Sequence, residues 1–328
     1  KALEKIDYAN KKGIDFIICD HHRPGDDLPK AIAVLDPKRS DCNYPYKDLC
    51  GCGVGFKLIQ ALGKQYSETS EELMSYLDLV AIAIGADIVS LTGENRTLAY
   101  YGVKLINSKP RPGIQALIEN ISKEILTLTD LNFIVAPRIN AAGRMKHGAY
   151  AVNILREKSI ENAKMTAESI ELFNSNRQKL DQEITQEALL QIENAKELNN
   201  ESTIVYDPLW NKGVIGIVAS RLIETYYRPT LVFTKSGDFL TASARSVKGY
   251  DIYEALQNCS QFIEQFGGHK YAAGLTIKES NYKLFKEAFE KEVLRGLPSH
   301  LKSPEIKIDK IIKLGDITPK FYRILKQF

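Results

Sequence analysis

The chain is poor in several residue types, and each shortage removes a class of protein. Five cysteines in 328 residues, at 19, 42, 50, 52 and 259, are odd in number and irregular in spacing. That pattern excludes a disulfide framework and fits reduced thiols in a cytoplasmic protein. Cys42, Cys50 and Cys52 lack the second ligand pair that a structural zinc site requires. No run approaches the roughly 18 consecutive apolar residues of a membrane-spanning helix. The first residues, "KALEKIDYANKKGID", are too charged for a secretory signal. The formal net charge is only +3, which excludes a uniformly basic nucleic-acid coat but leaves room for a local basic groove.

What remains is an ordinary globular balance, 44% hydrophobic and 26% charged, in a chain long enough for two or three domains. "GIDFIICD" and "AIAVLDP" read as short buried strands, with helices over about 53–65 and 70–85. Strands alternating with helices predict an α/β layer with a parallel sheet. "GCGVG" at 51–55 lacks both a preceding strand and the dinucleotide-loop spacing, so its glycines are read as a tight helix entry. Residues 151–199 have few turn residues and apolar positions at helical spacing, which predicts a helical connector. A second α/β pattern begins at "STIVYD" and fills 200–300. The tail 301–328, containing "EIKIDKIIKLGDITPKFYRILKQF", is read as a strand and a helix belonging to a further region.

Five stretches carry chemistry. In "IICDHHRP", two of the five histidines stand together after an acid, Asp20-His21-His22. Imidazole and carboxylate suit manganese, iron or zinc, and carboxylate suits magnesium. Neighbouring strand residues face opposite ways, so the three converge only where the strand breaks, and Pro24-Gly25 supply the break. The carboxyl ends of parallel strands are also where open α/β sheets bind ligands. The alternative is two surface histidines beside a helix-capping Asp20. Next, "LDLVAIAIGADIVSLTGENR" (77–96) is read as an apolar run carrying one acid, Asp87. Its carboxylate then faces a metal, an arginine or water, or pairs with Arg96 at a helix end.

"APRINAAGRMKHG" (136–148) sets Arg138, Asn140 and Arg144 among a proline and small residues, an expected irregular loop. Its arginines either grip phosphate by forked hydrogen bonds or pair with local acids. In "LTASARSVKGYDI" (240–252), Ser243 and Ser246 flank Arg245, a combination that suits a terminal phosphate. "FGGHKYAAG" (266–274) offers His269 beside glycines that let a ligand approach the backbone. "NKGVIGIVASRLIETYYRPTLVF" is assigned to packing.

In this order these pieces resemble the DHH phosphoesterase superfamily, most closely its RecJ-like single-stranded-DNA-specific exonucleases. The resemblance covers nearly the whole chain. It implies a DHH domain over 1–150, the helical connector, a DHH-associated substrate-binding domain over 200–300, and the start of an oligonucleotide-binding region over 301–328. It also implies two divalent cations, manganese or magnesium. Asp20, His21, His22 and Asp87 would be the metal and catalytic set. Arg138, Asn140 and Arg144 would lie along a cleft, and Ser243, Arg245, Ser246 and His269 would bind substrate phosphate.

The implied activity is 5′→3′ hydrolysis of single-stranded DNA to mononucleotides in repair and recombination. Single-strand-binding protein and a helicase would be partners. RecJ-like proteins carry further aspartates upstream of the DHH triplet, and this chain begins 19 residues before Asp20. Weak metal binding and little nuclease activity are therefore expected of these residues alone. The competing readings are a DHH phosphodiesterase for short RNA or cyclic dinucleotides, and a non-catalytic nucleic-acid-binding scaffold.

Overall fold

Ile17–Cys19 (β1) and Ala33–Leu35 (β2) run parallel, Ile17 beside Ala33 and Cys19 beside Leu35. The computed structural model describes residues 3–25, 27–87 and 89–327. The chain divides into two units, 1–179 and 180–328, with the division inside one long helix. β1 is not the buried strand expected: Ile17 is 55% exposed. β2 is its only partner strand among the described residues, so one edge of β1 has no strand beside it.

The first unit is otherwise helical. α1 (Leu3–Lys11) precedes β1. After β2 come α2 (Gly51–Gln65), α3 (Ser70–Met74), α4 (Leu77–Asp87), α5 (Gly93–Ser108), α6 (Pro112–Ile118) and α7 (Leu128–Asp130). A π-helical turn, Leu131–Val135, leads into α8 (Ala136–Met145), followed by α9 (Ala149–Arg156) and α10 (Ile160–Asn194).

α4 is the central helix, and its sequence says why: it is apolar in every direction, the mark of a helix buried all round. Leu77, Val80 and Ile84 pack with Val54 and Phe56 of α2 and Leu98 of α5. Ala81 and Ile82 face a second cluster with Ile106, Ile114 and Leu131. α5 crosses closely at Gly102, where a Cβ would stand 2.2 Å from the Leu77 carbonyl oxygen. The helix expected over 70–85 is broken at Ser75 and Tyr76. Thr69 caps α3 in a reciprocal box with Glu72, and the Arg111 guanidinium takes the Ser75 carbonyl at 3.0 Å.

The acid count of this stretch also needs correction, because Asp78 opens α4 and is buried. The irregular loop expected at 136–148 is mostly the helix α8. Pro137 sits in its first turn, where a missing N–H costs nothing. Ala141 and Ala142 are small enough to be fully buried against neighbouring helices.

The second unit is built on a five-stranded sheet in the order β3-β4-β5-β7-β6. Its strands are β3 (Thr203–Tyr206), β4 (Thr230–Ser236), β5 (Phe239–Arg245), β6 (Gln265–His269) and β7 (Ala272–Lys278). β3 and β4 are parallel, joined through α11 (Ile215–Tyr226), and the other pairs are antiparallel. Leu240, Ala242, Ala244, Leu275 and Ile277 face the core with α12 (Ile252–Asn258) and α13 (Tyr282–Gly296). Strand alternation then turns Thr241, Ser243 and Arg245 to the opposite face. The tail forms its helix, α14 (Pro319–Leu325), but not its strand. Ile306 and Ile308 are 86% and 71% exposed, with no strand beside them among the described residues. No described helix is long and apolar enough to cross a membrane.

Candidate metal centre

The Asp20 N–H still donates to the Leu35 carbonyl at 2.9 Å, so the backbone stays tied to β2 up to this residue. There it turns. Asp20 Oδ1 accepts from the N–H groups of His21 (2.7 Å) and His22 (3.1 Å) and from His22 Nδ1 (2.7 Å). This local turn gathers both imidazoles, with ring centroids 4.4 Å apart. Burial pushes the Asp20 carboxyl up, but the His22 and backbone hydrogen bonds outweigh it and hold the group below its usual range.

His21 is the inward member. Its Nε2 lies 3.2 Å from Asp87 Oδ2, delivered by the last residue of α4. A Cβ at Gly51, the first residue of α2, would touch its ring at 3.4 Å. His21 Nδ1 is buried with no hydrogen-bond partner among the described residues. One donor atom each from Asp20, His21 and His22 lie within 4.8 Å of one another. Donors at right angles on one ion, each about 2.1 Å away, stand about 3 Å apart, close to the separation of His21 Nε2 and Asp87 Oδ2. This mixed nitrogen and oxygen set fits manganese, and its carboxylates fit magnesium.

Asn95 ties the walls of this centre together. It is fully buried, and its Nδ2 donates to the carbonyls of Asp48 (2.6 Å) and Ser90 (2.9 Å). The Tyr46 hydroxyl donates to the same Ser90 carbonyl at 3.1 Å. The segment leading into α2 is thus tied to the segment that follows Asp87. Asn95 gives no signal in the sequence, because its partners are backbone carbonyls that no side-chain pattern displays.

Arg138 is engaged locally: its Nε donates to Glu171 at 2.6 Å and its Nη1 to the Ile134 carbonyl at 2.8 Å. Asn140 and Arg144 lie on the exposed side of α8. In the second unit, Arg245 Nη1 donates to Ser243 Oγ (3.0 Å) and to the Ala244 carbonyl (2.9 Å). Arg245, Ala272 and His269 are in register across three strands, as are Ser243, Gly274 and Gly267. Register partners share a face, so small residues leave a bare strip between the Ser243–Arg245 pair and His269. The Ser246 hydroxyl is spent on the Tyr250 carbonyl at 2.9 Å, closing a turn.

Gly216, which the sequence reading assigned to packing, completes this surface. A Cβ there would meet Ser243 Oγ at 2.9 Å and Arg245 Nη2 at 3.1 Å. A glycine in the first turn of a helix beside a serine–arginine pair is the signal that would have found it.

Both units have known relatives. The DHH family, N-terminal domain, matches residues 1–84, and the DHHA1 domain matches residues 200–294. The single-stranded-DNA-specific exonuclease RecJ of Escherichia coli is 35% identical over 98% of this chain, which spans 59% of that protein. RecJ of Bacillus subtilis is also 35% identical, over 97% of this chain and 40% of the relative. The crystal structure of RecJ from Thermus thermophilus in complex with Mn2+ superposes with a TM-score of 0.87 at 27% identity. That match covers 98% of this chain and 47% of the other.

Proposed function

The chain belongs to the DHH family, and from that premise we propose that the whole protein is a metal-dependent exonuclease that digests single-stranded DNA 5′→3′ into mononucleotides. The observation that carries the reading is the convergence of Asp20, His21 and His22 with His21 Nε2 at 3.2 Å from Asp87 Oδ2. Divalent cations, manganese or magnesium, supply an activated water and neutralise charge on the scissile phosphate. The protein's part is to hold the donors. His21, just after β1, and Asp87, at the end of α4, face each other directly. Asp20 fixes the Nδ1 of His22 and so sets the orientation of that ring beside His21. Asn95 keeps the walls in place.

Ser243, Arg245 and His269 border a bare strip on which a terminal phosphate can rest, with the first turn of α11 behind it. Asn140 and Arg144 of α8 serve as further strand contacts, while Arg138 is held by Glu171. Such contacts to phosphate are independent of sequence. A substrate of this kind calls for a helicase that exposes single strands and a single-strand-binding protein that coats them. Five free cysteines support a cytoplasmic setting.

The test is to incubate the whole protein with 5′-phosphorylated single strands and manganese. Release of mononucleotides, faster from single strands than from duplex, is the expected result; no release, or preference for duplex, sinks the reading. His21→Ala should lower the rate by roughly 100-fold or more and abolish the rise in melting temperature on adding manganese.

A further inference from the structure

α4 carries Asp87 at one end. Near its other end, roughly 15 Å along the axis at about 1.5 Å per residue, lies a groove of about 1010 Å³. The turn between α3 and α4, the last turn of α5, the start of α6 and the end of α9 form its walls. Its floor is a neutral pair: both oxygens of buried Asp78 accept from the Arg111 guanidinium, at 2.6 Å each. Lys104, Lys109, Arg156 and Lys158 stand around it. None of these four has a carboxylate partner among the described residues, and the pocket gathers them on one concave surface.

The opposing acids are few. They are Glu71 and Glu157, the latter held ionised by the N–H groups of Ser159 and Lys158 at 2.9 and 2.8 Å, so the four cations outnumber them two to one. Tyr76 and Tyr101, 40% and 54% exposed, also line it, one from the turn before α4 and one from α5.

We propose that this groove is a second binding site for a single nucleic-acid strand, separate from the metal centre. The four cations grip phosphates, and the tyrosine rings offer stacking faces for bases. Unpaired cations gathered around a concave surface attract a polyanion, and exposed aromatic rings among them favour stacked bases over an acidic peptide. A strand engaged here and at the metal centre is held at two points, which raises its effective concentration at the second. The inference rests on the single-strand reading above.

The full 328-residue chain, kept in EDTA, is mixed with an oligothymidylate of about 20 nucleotides carrying 5-bromouracil. Photocrosslinks are mapped by mass spectrometry, and affinity is followed by fluorescence anisotropy across a salt series. Crosslinks on Tyr76 or Tyr101 are expected. Joint substitution of Lys104→Gln, Lys109→Gln, Arg156→Gln and Lys158→Gln should weaken binding about tenfold or more and flatten the logarithmic salt slope by about 3. The melting temperature should hold, and binding of a dinucleotide should be unaffected. Strong binding with crosslinks only elsewhere and an unchanged salt slope overturns the groove while leaving the function intact. An oligoglutamate that displaces the strand more readily than unlabelled oligonucleotide overturns it in favour of an acidic peptide. A native chain that binds no single strand at all overturns the groove and leaves the proposed function to the nuclease assay of the whole protein.

Discussion

Gly216 brings the first turn of α11 so close that an added Cβ would stand 2.9 Å from Ser243 Oγ and 3.1 Å from Arg245 Nη2. A methyl group there would press on a hydroxyl and on the end of a guanidinium, both of which can swing away. The helix should therefore stay and the two side chains should move. Alanine also favours a helix over glycine by about 1 kcal/mol. Gly216→Ala is expected to keep or raise the melting temperature. Its preference for a 5′-phosphorylated over a 5′-hydroxyl strand, read by titration, should fall roughly tenfold, the scale of one lost charge-assisted hydrogen bond. An unchanged preference would remove Ser243 and Arg245 from phosphate recognition. Residue chemistry was legible in the sequence; residue commitments were not. Arg138 and Ser246 have the right groups, yet Glu171 and the Tyr250 carbonyl already occupy them. Asn95 has an unremarkable sequence setting, yet it ties the segment before α2 to the segment after Asp87, on two sides of the candidate metal centre.

Among the elements, α4 does the most positioning. It lies between two hydrophobic clusters, presents Asp87 at one end and anchors Asp78 to Arg111 at the other. Arg111 also binds the Ser75 and Leu155 carbonyls, so one guanidinium links the starts of α4 and α6 to the end of α9. Removing one partner of a buried ion pair leaves an uncompensated charge and costs about 3–5 kcal/mol. Asp78→Ala should therefore lower the unfolding free energy by that order, measured by urea titration. A loss below about 1 kcal/mol would mean that Arg111 finds solvent, as an exposed pair does. The apolar run of α4 announced burial, and its partners lie in distant segments that the run itself does not name. α8 was misread because a proline and a glycine suggest a loop. The structure places Pro137 where helices accept it and buries Ala141 and Ala142 completely.

For the whole molecule, stability should form a plateau in pH. Asp130 is held below the usual carboxylate range by Lys123 and by the Thr127 N–H, and Glu72 by the Thr69 N–H. Each binds its proton more weakly folded than unfolded. The stability they add is present above about pH 4 and drains as pH falls through their lowered values. At the other end, burial and then the Glu292 charge raise the Cys259 thiol from 9.0 to about 11. Burial and then Glu94 raise the Tyr44 hydroxyl to about 12. The unfolded chain gives up those protons first, so stability falls as pH rises through that range. Urea midpoints should be flat between about pH 5 and 8 and decline on both sides; a midpoint still climbing at about pH 10 would contradict the assignment. The α/β class was legible from the alternation of strands and helices. The exposed edge of β1 and the strandless stretch before α14 were not, because pairing depends on a neighbour that a strand's own residues do not name.

The contact between His21 and Asp87 has a kinetic meaning as well. It closes a long loop of chain, and the entropic cost of that closure grows with the loop's length. An ion held there would act as a cross-link between the end of β1 and the end of α4. Its release rate would then report how often those two segments part, a clock on local opening that can be read without any substrate.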